Sequence, residues 1–315
     1  MKLGSTLITG IACGAAAGAF WGFAFLGPAM VADFAPVQLA MGRYLIFGAV
    51  SAALILPRWR DIAGRLGWSD CITLAWLGLA GNTLYYVLMA SAVQLGGIAM
   101  TSLVIGFLPV AVTVIGSNAE RAVPISRLAP SLLLCSAGAV CIGLQALALP
   151  PSTSLLQQGA GLLCAVGALV CWTSYAIGNS RALARLKDVS AHDWNLLTGV
   201  ATGLQGLVLI PCLAFIDTEH DAMAWMRFVA VSAGVAILAS IVGNAFWNRM
   251  SRLLPLTLAG QMILFETLFA LLYGLAWEHR LPTTLETAAF CFVVLSVITC
   301  VHAHREPATT SSAQA

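Results

Sequence analysis

Two charged side chains lie well inside long apolar stretches of this 315-residue chain: Glu266, in "LAGQMILFETLFALLYG" from Leu258, and Arg43, in "MGRYLIFG" from Met41. On insertion scales a charge at the bilayer centre costs about 2.5 to 3.5 kcal/mol, so each must face a partner, a cavity or water. A carboxylate in that position is suited to bind a substrate ammonium, a proton, or each in turn. The alternative is a structural role, as an ion pair with Arg43 or a hydrogen bond to a neighbouring helix. Arg43 stands seven residues beyond Pro36, about 10 Å below the helix end at 1.5 Å per residue. At that depth a long side chain snorkels to the interface or ties one helix to another, so Arg43 is read as gating or structural.

Uncharged groups extend the pattern. Asn82, Tyr85 and Tyr86 share one helix face, as do Asn244, Trp247 and Asn248; Trp172 and Tyr175 share another, and Trp21 occupies a similar place in the first apolar stretch. Together they would make an aromatic-walled pocket with amide hydrogen bonds, fitted to an amphipathic zwitterion or an organic cation. Taken singly, each Trp or Tyr is equally an interface-belt or packing residue. Ser102, Gly106, Pro109 and Thr113 fall on one small, polar face, and Pro109 leaves the carbonyl of Ile105 without its helical partner, which marks a kink or gate. Gly14, Gly18 and Gly22 read as close helix packing. His302 and His304 read as part of a solvated tail, since two ligands make a poor metal site. The nine cysteines contain no CxxC pair and read as small apolar residues. No metal or cofactor is expected.

The elements that hold these residues are membrane helices. The chain is 60% hydrophobic and 9% charged, with a mean hydropathy of +0.91, against roughly 25% charged in a soluble domain. Apolar blocks of about 20 residues, the length of a bilayer span, lie at approximately 5–26, 36–56, 70–92, 97–117, 128–149, 159–180, 194–216, 228–247, 255–276 and 284–303. The first is read as a span because its apolar run to Pro28 is too long for a typical signal peptide. The tail from Arg305 is polar and expected to be disordered. With both termini cytoplasmic, Lys2, Arg58, Arg60, Arg65, Arg121, Arg127, Arg181, Arg185, Lys187, Arg249, Arg252 and Arg305 face inward and only Arg227 and Arg280 face out. That is the bias the positive-inside rule describes. Nothing suggests nucleic-acid binding, and the sequence leaves monomer and homodimer both open.

The chain also repeats itself. "FLPVAVTVIGSNAERAVP" from Phe107 matches "FETLFALLYGLAWEHRLP" from Phe265 at Phe107/Phe265, Gly116/Gly274, Glu120/Glu278 and Pro124/Pro282. Gly81–Asn82 answers Gly243–Asn244, Tyr85 answers Trp247, and Trp21 answers Trp172. Equivalent positions five spans apart make the second copy inverted, a signature of secondary transporters whose site lies at the repeat interface.

The ten-span pattern, the Pro36-to-Arg43 spacing, the Pro109–Glu120 segment and its echo ending at Glu278 resemble the EamA-type transporters of the drug/metabolite transporter superfamily. The resemblance covers nearly the whole chain. It implies an all-α polytopic membrane protein with two inverted five-helix repeats, over 1–150 and 151–304, around a central cavity lined mainly by spans 1, 3, 4, 6, 8 and 9. It further implies alternating access, residence in a bacterial inner membrane and export of a small organic metabolite such as an amino acid or amine. One departure is that Thr267 stands where the repeat would place a partner for Pro109, so span 9 is expected to bend differently from span 4.

Other function classes fit less well. No Walker A motif is present, so coupling to ATP through it is excluded, and protons remain the candidate coupling ion. An intramembrane enzyme would call for HExxH, a Ser–His pair or paired carboxylates within the spans, and none occurs. A lipid or lipid-linked sugar flippase stays open; a laterally open apolar gap would favour it, and a closed cavity with paired amides would favour a zwitterion.

Overall fold

A computed structural model describes residues 2–116, 124–147, 154–216, 219–277 and 279–305. Among them all regular structure is helical, as the apolar blocks require, because in lipid a backbone must satisfy its own hydrogen bonds. In order these elements are α1 (Lys2–Met30), α2 (Pro36–Ile55), a 3₁₀ turn and α3 (Trp59–Ala63), then α4 (Trp68–Gly78), a π segment (Leu79–Thr83), α5 (Leu84–Ile105), α6 (Leu108–Gly116) and α7 (Ile125–Leu147). The second half has α8 (Leu155–Arg185), α9 (Ala191–Val208), a 3₁₀ turn, α10 (Ala222–Val235) and a second π segment (Ala236–Gly243). It ends with α11 (Asn244–Leu253), α12 (Leu256–Met262), α13 (Leu264–Trp277) and α14 (Thr284–Arg305).

Among the described residues eight stretches are long and apolar enough to cross a membrane, and Ile125–Cys141 is a shorter apolar helix. The expected separation of spans 3 and 4 near residues 93–96 is absent: α5 runs unbroken through it, and the chain turns instead at Gly106–Phe107. Gly96–Gly97 alone, costing about 1 kcal/mol per residue against Ala, does not stop a helix in apolar surroundings. Pro109 does dictate a break. It sits in the first turn of α6, where its missing N–H costs nothing, and the helix ends just before it. Span 9 breaks as well, at Ile263 between α12 and α13, with no proline involved. The bonds from Ile263 N–H to Gly260 (3.4 Å) and from Glu266 N–H to Ile263 (2.9 Å) are of the tighter 3₁₀ kind that ends one helix and starts the next.

Close packing comes from glycine, since apolar burial does not by itself draw helices together in lipid. Gly10, Gly14, Gly18 and Gly22 make a four-residue-spaced seam along α1. A Cβ added at Gly14 would meet Met262 at 2.9 Å, and one at Gly18 would lie 2.5 Å from Phe265 and 2.7 Å from the Glu266 backbone nitrogen. The packing expected of these glycines is therefore what seats Glu266. Across the molecule Gly48 and Gly203 bring α2 and α9 together so closely that a Cβ on Gly48 would stand 2.5 Å from the other's Cα.

The start of α1 and the end of α14 lie at one face. There Gly10 packs on Leu254, and Thr257 shares a 2.8 Å hydrogen bond with His304, which is held on α14 instead of forming part of a solvated tail. The same face carries Arg58–Asp193 at 2.7 Å, Arg185–Asp70, and Arg65 and Arg252 bonded to backbone carbonyls at 186–189. All nine cysteines are free, and Cys71 and Cys291 are exposed on the apolar surface. Arg121, Glu120, Glu278 and the tail 306–315 lie outside the described residues.

Candidate functional site

The two π segments set the site. Each widens a membrane helix just where a Gly–Asn pair stands: Gly81–Asn82 inside the first, and Gly243 closing the second with Asn244 next. Wide turns of this kind shift the register of the residues beyond them and occur often at functional sites. The glycines are needed for contact. A Cβ on Gly81 would lie 2.2 Å from the Tyr175 ring and one on Gly243 would lie 2.8 Å from Trp21. In both places a ring from α8 or α1 rests directly on backbone.

Between these elements is a cavity of about 30 Å³ walled by Trp21, Ala24 and Phe25 of α1, Arg43 and Tyr44 of α2, and Gly81, Asn82, Tyr85, Tyr86 and Met89 of the α4–α5 stretch. Trp172 and Tyr175 of α8, Asn244 of α11 and Glu266 of α13 complete it. Its volume suits one or two waters. The Trp21 ring is edge-on to Trp172 with centroids 5.7 Å apart, and its N–H donates to Asn244 Oδ1 at 2.9 Å and lies 3.1 Å from the carbonyl of Ala239. Asn82 Nδ2 is buried without a hydrogen-bond partner among the described residues.

The two charges are held differently. Arg43 is 7% exposed, so it does not snorkel; its Nε donates to Ser240 Oγ at 2.9 Å, and its guanidinium lies over the rings of Tyr86 (4.7 Å) and Tyr44 (5.1 Å). Cation–π contact and a neutral hydrogen bond offset the loss of hydration of this guanidinium, which lines the cavity. Glu266 is 9% exposed, in the first turn of α13, where the helix N-terminus favours negative charge. Arg43 is within electrostatic reach of it, yet among the described residues the Glu266 carboxylate makes no hydrogen bond or ion pair.

Comparison with known proteins gives the family. The model of the EamA-like transporter family matches residues 159–301. The "Inner membrane protein YtfF" of Escherichia coli (strain K12) is 30% identical over 322 aligned residues, covering 97% of this chain and 99% of that protein. The chain belongs to the EamA-type transporters of the drug/metabolite transporter superfamily. A protein of solved crystal structure, 20% identical, shares its fold with a TM-score of 0.69 over 94% of this chain and 98% of that one.

In this EamA-type chain most of the residues singled out in the sequence come together, while Trp247, Asn248 and Pro109 do not join them. Trp21, Asn82, Tyr85, Tyr86, Trp172, Tyr175, Asn244, Glu266 and Arg43 reach the cavity, whereas Trp247 packs tilted against Trp21 and edge-on to Trp172, at centroid distances of 5.1 and 5.2 Å, and does not line it. Asn248 also turns away, accepting from Asn179, which itself accepts from Trp194. Pro109 is buried at the α5–α6 break and touches no part of the wall. The side chains of Ser102 and Thr113 lie outside the described residues. Span 2 lines the cavity, contrary to the span set the family resemblance implied, and no described residue of span 4 does. Sequence reasoning missed Tyr44 and Ser240. Tyr44 adjoins Arg43 and so carried a signal, but Ser240 sits among apolar neighbours and shows its role only when α2 packs on the second π segment.

Proposed function

We propose that this protein is a secondary carrier which moves a small organic zwitterion or amine, an amino acid being the simplest case, through the Arg43–Glu266 cavity by alternating access. The observation that carries this reading is the Glu266 carboxylate, without a polar partner among the described residues, in one aromatic-walled cavity with an arginine already held by Ser240. One charge awaits an ammonium, and the other presents donors to a carboxylate. A cavity of about 30 Å³ admits no amino acid, so the conformation is a closed one and the substrate enters only when the helices part. Proton binding at Glu266 in the substrate's absence would couple transport to the gradient. The distribution of Lys and Arg supports a cytoplasmic location for both termini, with the Asp33–Arg227 face outside an inner membrane, and the family resemblance supports export as the direction.

The test is uptake of labelled amino acids and amines into proteoliposomes, with and without a pH gradient, by the parent and by Glu266→Gln. Loss of transport, or of its response to the gradient, in a folded variant supports the reading. Equal transport in both makes Glu266 structural, and a panel with no transported member turns attention to lipid substrates.

A further inference from the structure

Two arginine–aspartate pairs stand at opposite faces of the molecule. Opposite the termini, Arg227, in the second turn of α10, donates to both oxygens of Asp33 just beyond α1, at 2.9 and 2.8 Å. At the face of the termini, Arg185, ending α8, pairs with Asp70 in the first turn of α4. The helices so joined are the ones that meet at the cavity: α1 rests Trp21 on Gly243, and α8 rests Tyr175 on Gly81. Each helix pair thus has a backbone-tight contact at the cavity and an ion pair at one end, and the two ends are opposite.

The first pair caps an aromatic plug. Phe34 is stacked on Phe228 (4.5 Å) and packs tilted against His220 (4.0 Å), with Trp225 edge-on at 5.1 Å. The tip of Phe228 and Ser232 Oγ both press on Gly42, where a Cβ would lie 2.7 and 2.9 Å from them. Gln38 is one helical turn before Gly42 on α2, and Ser232 is two turns before Ser240, which holds Arg43. Gln38 Nε2 and Ser232 Oγ are buried, on residues 1% and 2% exposed, and neither has a hydrogen-bond partner among the described residues. Buried polar atoms left unpaired cost free energy, and two of them lie on the seam that leads from the plug to Arg43.

We infer that the α2–α10 seam is the route between the cavity and the face opposite the termini. Gln38 and Ser232 hydrogen-bond a polar solute in transit, and Asp33–Arg227 with the Phe34–Phe228 stack is the gate across it; Asp70–Arg185 holds the other mouth. This rests on the reading of the protein as a carrier. It is tested without any substrate, so its failure is separable from failure of the uptake assay.

The full chain bearing Ser232→Cys is placed in nanodiscs and exposed to a charged maleimide, with modification of that one peptide followed by mass spectrometry so that native cysteines do not intrude. Removing a half-exposed ion pair by Arg227→Gln or Asp33→Asn should raise the labelling rate about threefold, the charge swap Asp33→Arg/Arg227→Asp should return it toward the parent rate, and Asp70→Asn should not raise it. Rates unchanged in both single variants, no recovery in the swap, or an equal rise with Asp70→Asn, which would mean general loosening, each overturn the gate.

Discussion

The indole N–H of Trp21 donates to the side-chain oxygen of Asn244 at 2.9 Å, tying α1 to the residue where α-helical geometry resumes after the second π segment. The bond does two things at once. It fixes the ring as a cavity wall, and it supplies a partner to a polar group that the wide turn exposes inside the membrane.

Trp21→Phe keeps a ring and deletes that donor. Interhelical hydrogen bonds in membranes contribute about 0.6 kcal/mol, up to about 1.7, so the variant should fold with a slightly lowered Tm in detergent. Its KM for a transported solute should rise more than the stability change suggests, because Asn244 is freed to turn. A Tm and KM both equal to the parent's would show that the bond is dispensable.

Gly18 has no room for a side chain, its Cβ position being 2.7 Å from the Glu266 backbone nitrogen, whereas nothing lies within 4 Å of the equivalent position on Gly234. Gly18→Val should cost about 1 to 3 kcal/mol as overpacking and abolish transport by displacing α13. Gly234→Ala should be neutral or stabilising by up to about 1 kcal/mol. Thermal unfolding of the two variants side by side checks both signs.

Arg43→Lys retains the charge but loses the Nε donation to Ser240 and the flat contact with Tyr86. Hydrogen bonds involving charged groups contribute about 1.5 to 3 kcal/mol, so transport of a carboxylate-bearing solute should fall about tenfold or more, and that of a simple amine much less. Competition assays with a zwitterion and its decarboxylated amine measure the difference. Equal losses for both would remove Arg43 from substrate recognition.

Thr283 and Glu286 cap α14 reciprocally: Glu286 N–H donates to Thr283 Oγ1 at 3.2 Å, Thr283 N–H donates to Glu286 Oε2 at 2.8 Å, and Arg280 holds both carboxylate oxygens at 2.7 Å. Thr283→Ala should lower stability by about 1 kcal/mol and leave transport kinetics unaltered, as thermal unfolding alongside uptake would show. A change in KM would place this cap in the transport cycle.

Much of this architecture is legible in the order of residues alone. Of ten spans read from the apolar runs, the described residues hold eight stretches long and apolar enough to cross a bilayer, which demands about 20 such residues in sequence, and the packing role of Gly14, Gly18 and Gly22 comes from their spacing. Glu266 stands out as a carboxylate in an apolar run, and Asn82 and Asn244 as repeated Gly–Asn pairs, since polarity inside a span is rare and local to the sequence. The course of span 4 is not legible in this way, because α5 continues through Gly96–Gly97 where propensity alone is indifferent, and the break waits for Pro109.

What the sequence determined by itself was class, the approximate spans and a short set of suspect residues, all properties of composition along one dimension. Only the tertiary structure decided which suspects meet. It turned Trp247 away from the cavity and Arg43 into it, parted Arg43 from Glu266, and paired Asp33 with Arg227 across 194 positions. The physical reason is that a π segment or a 3₁₀ break rotates every later side chain by a fraction of a turn, and such a shift is settled by the packing of other helices.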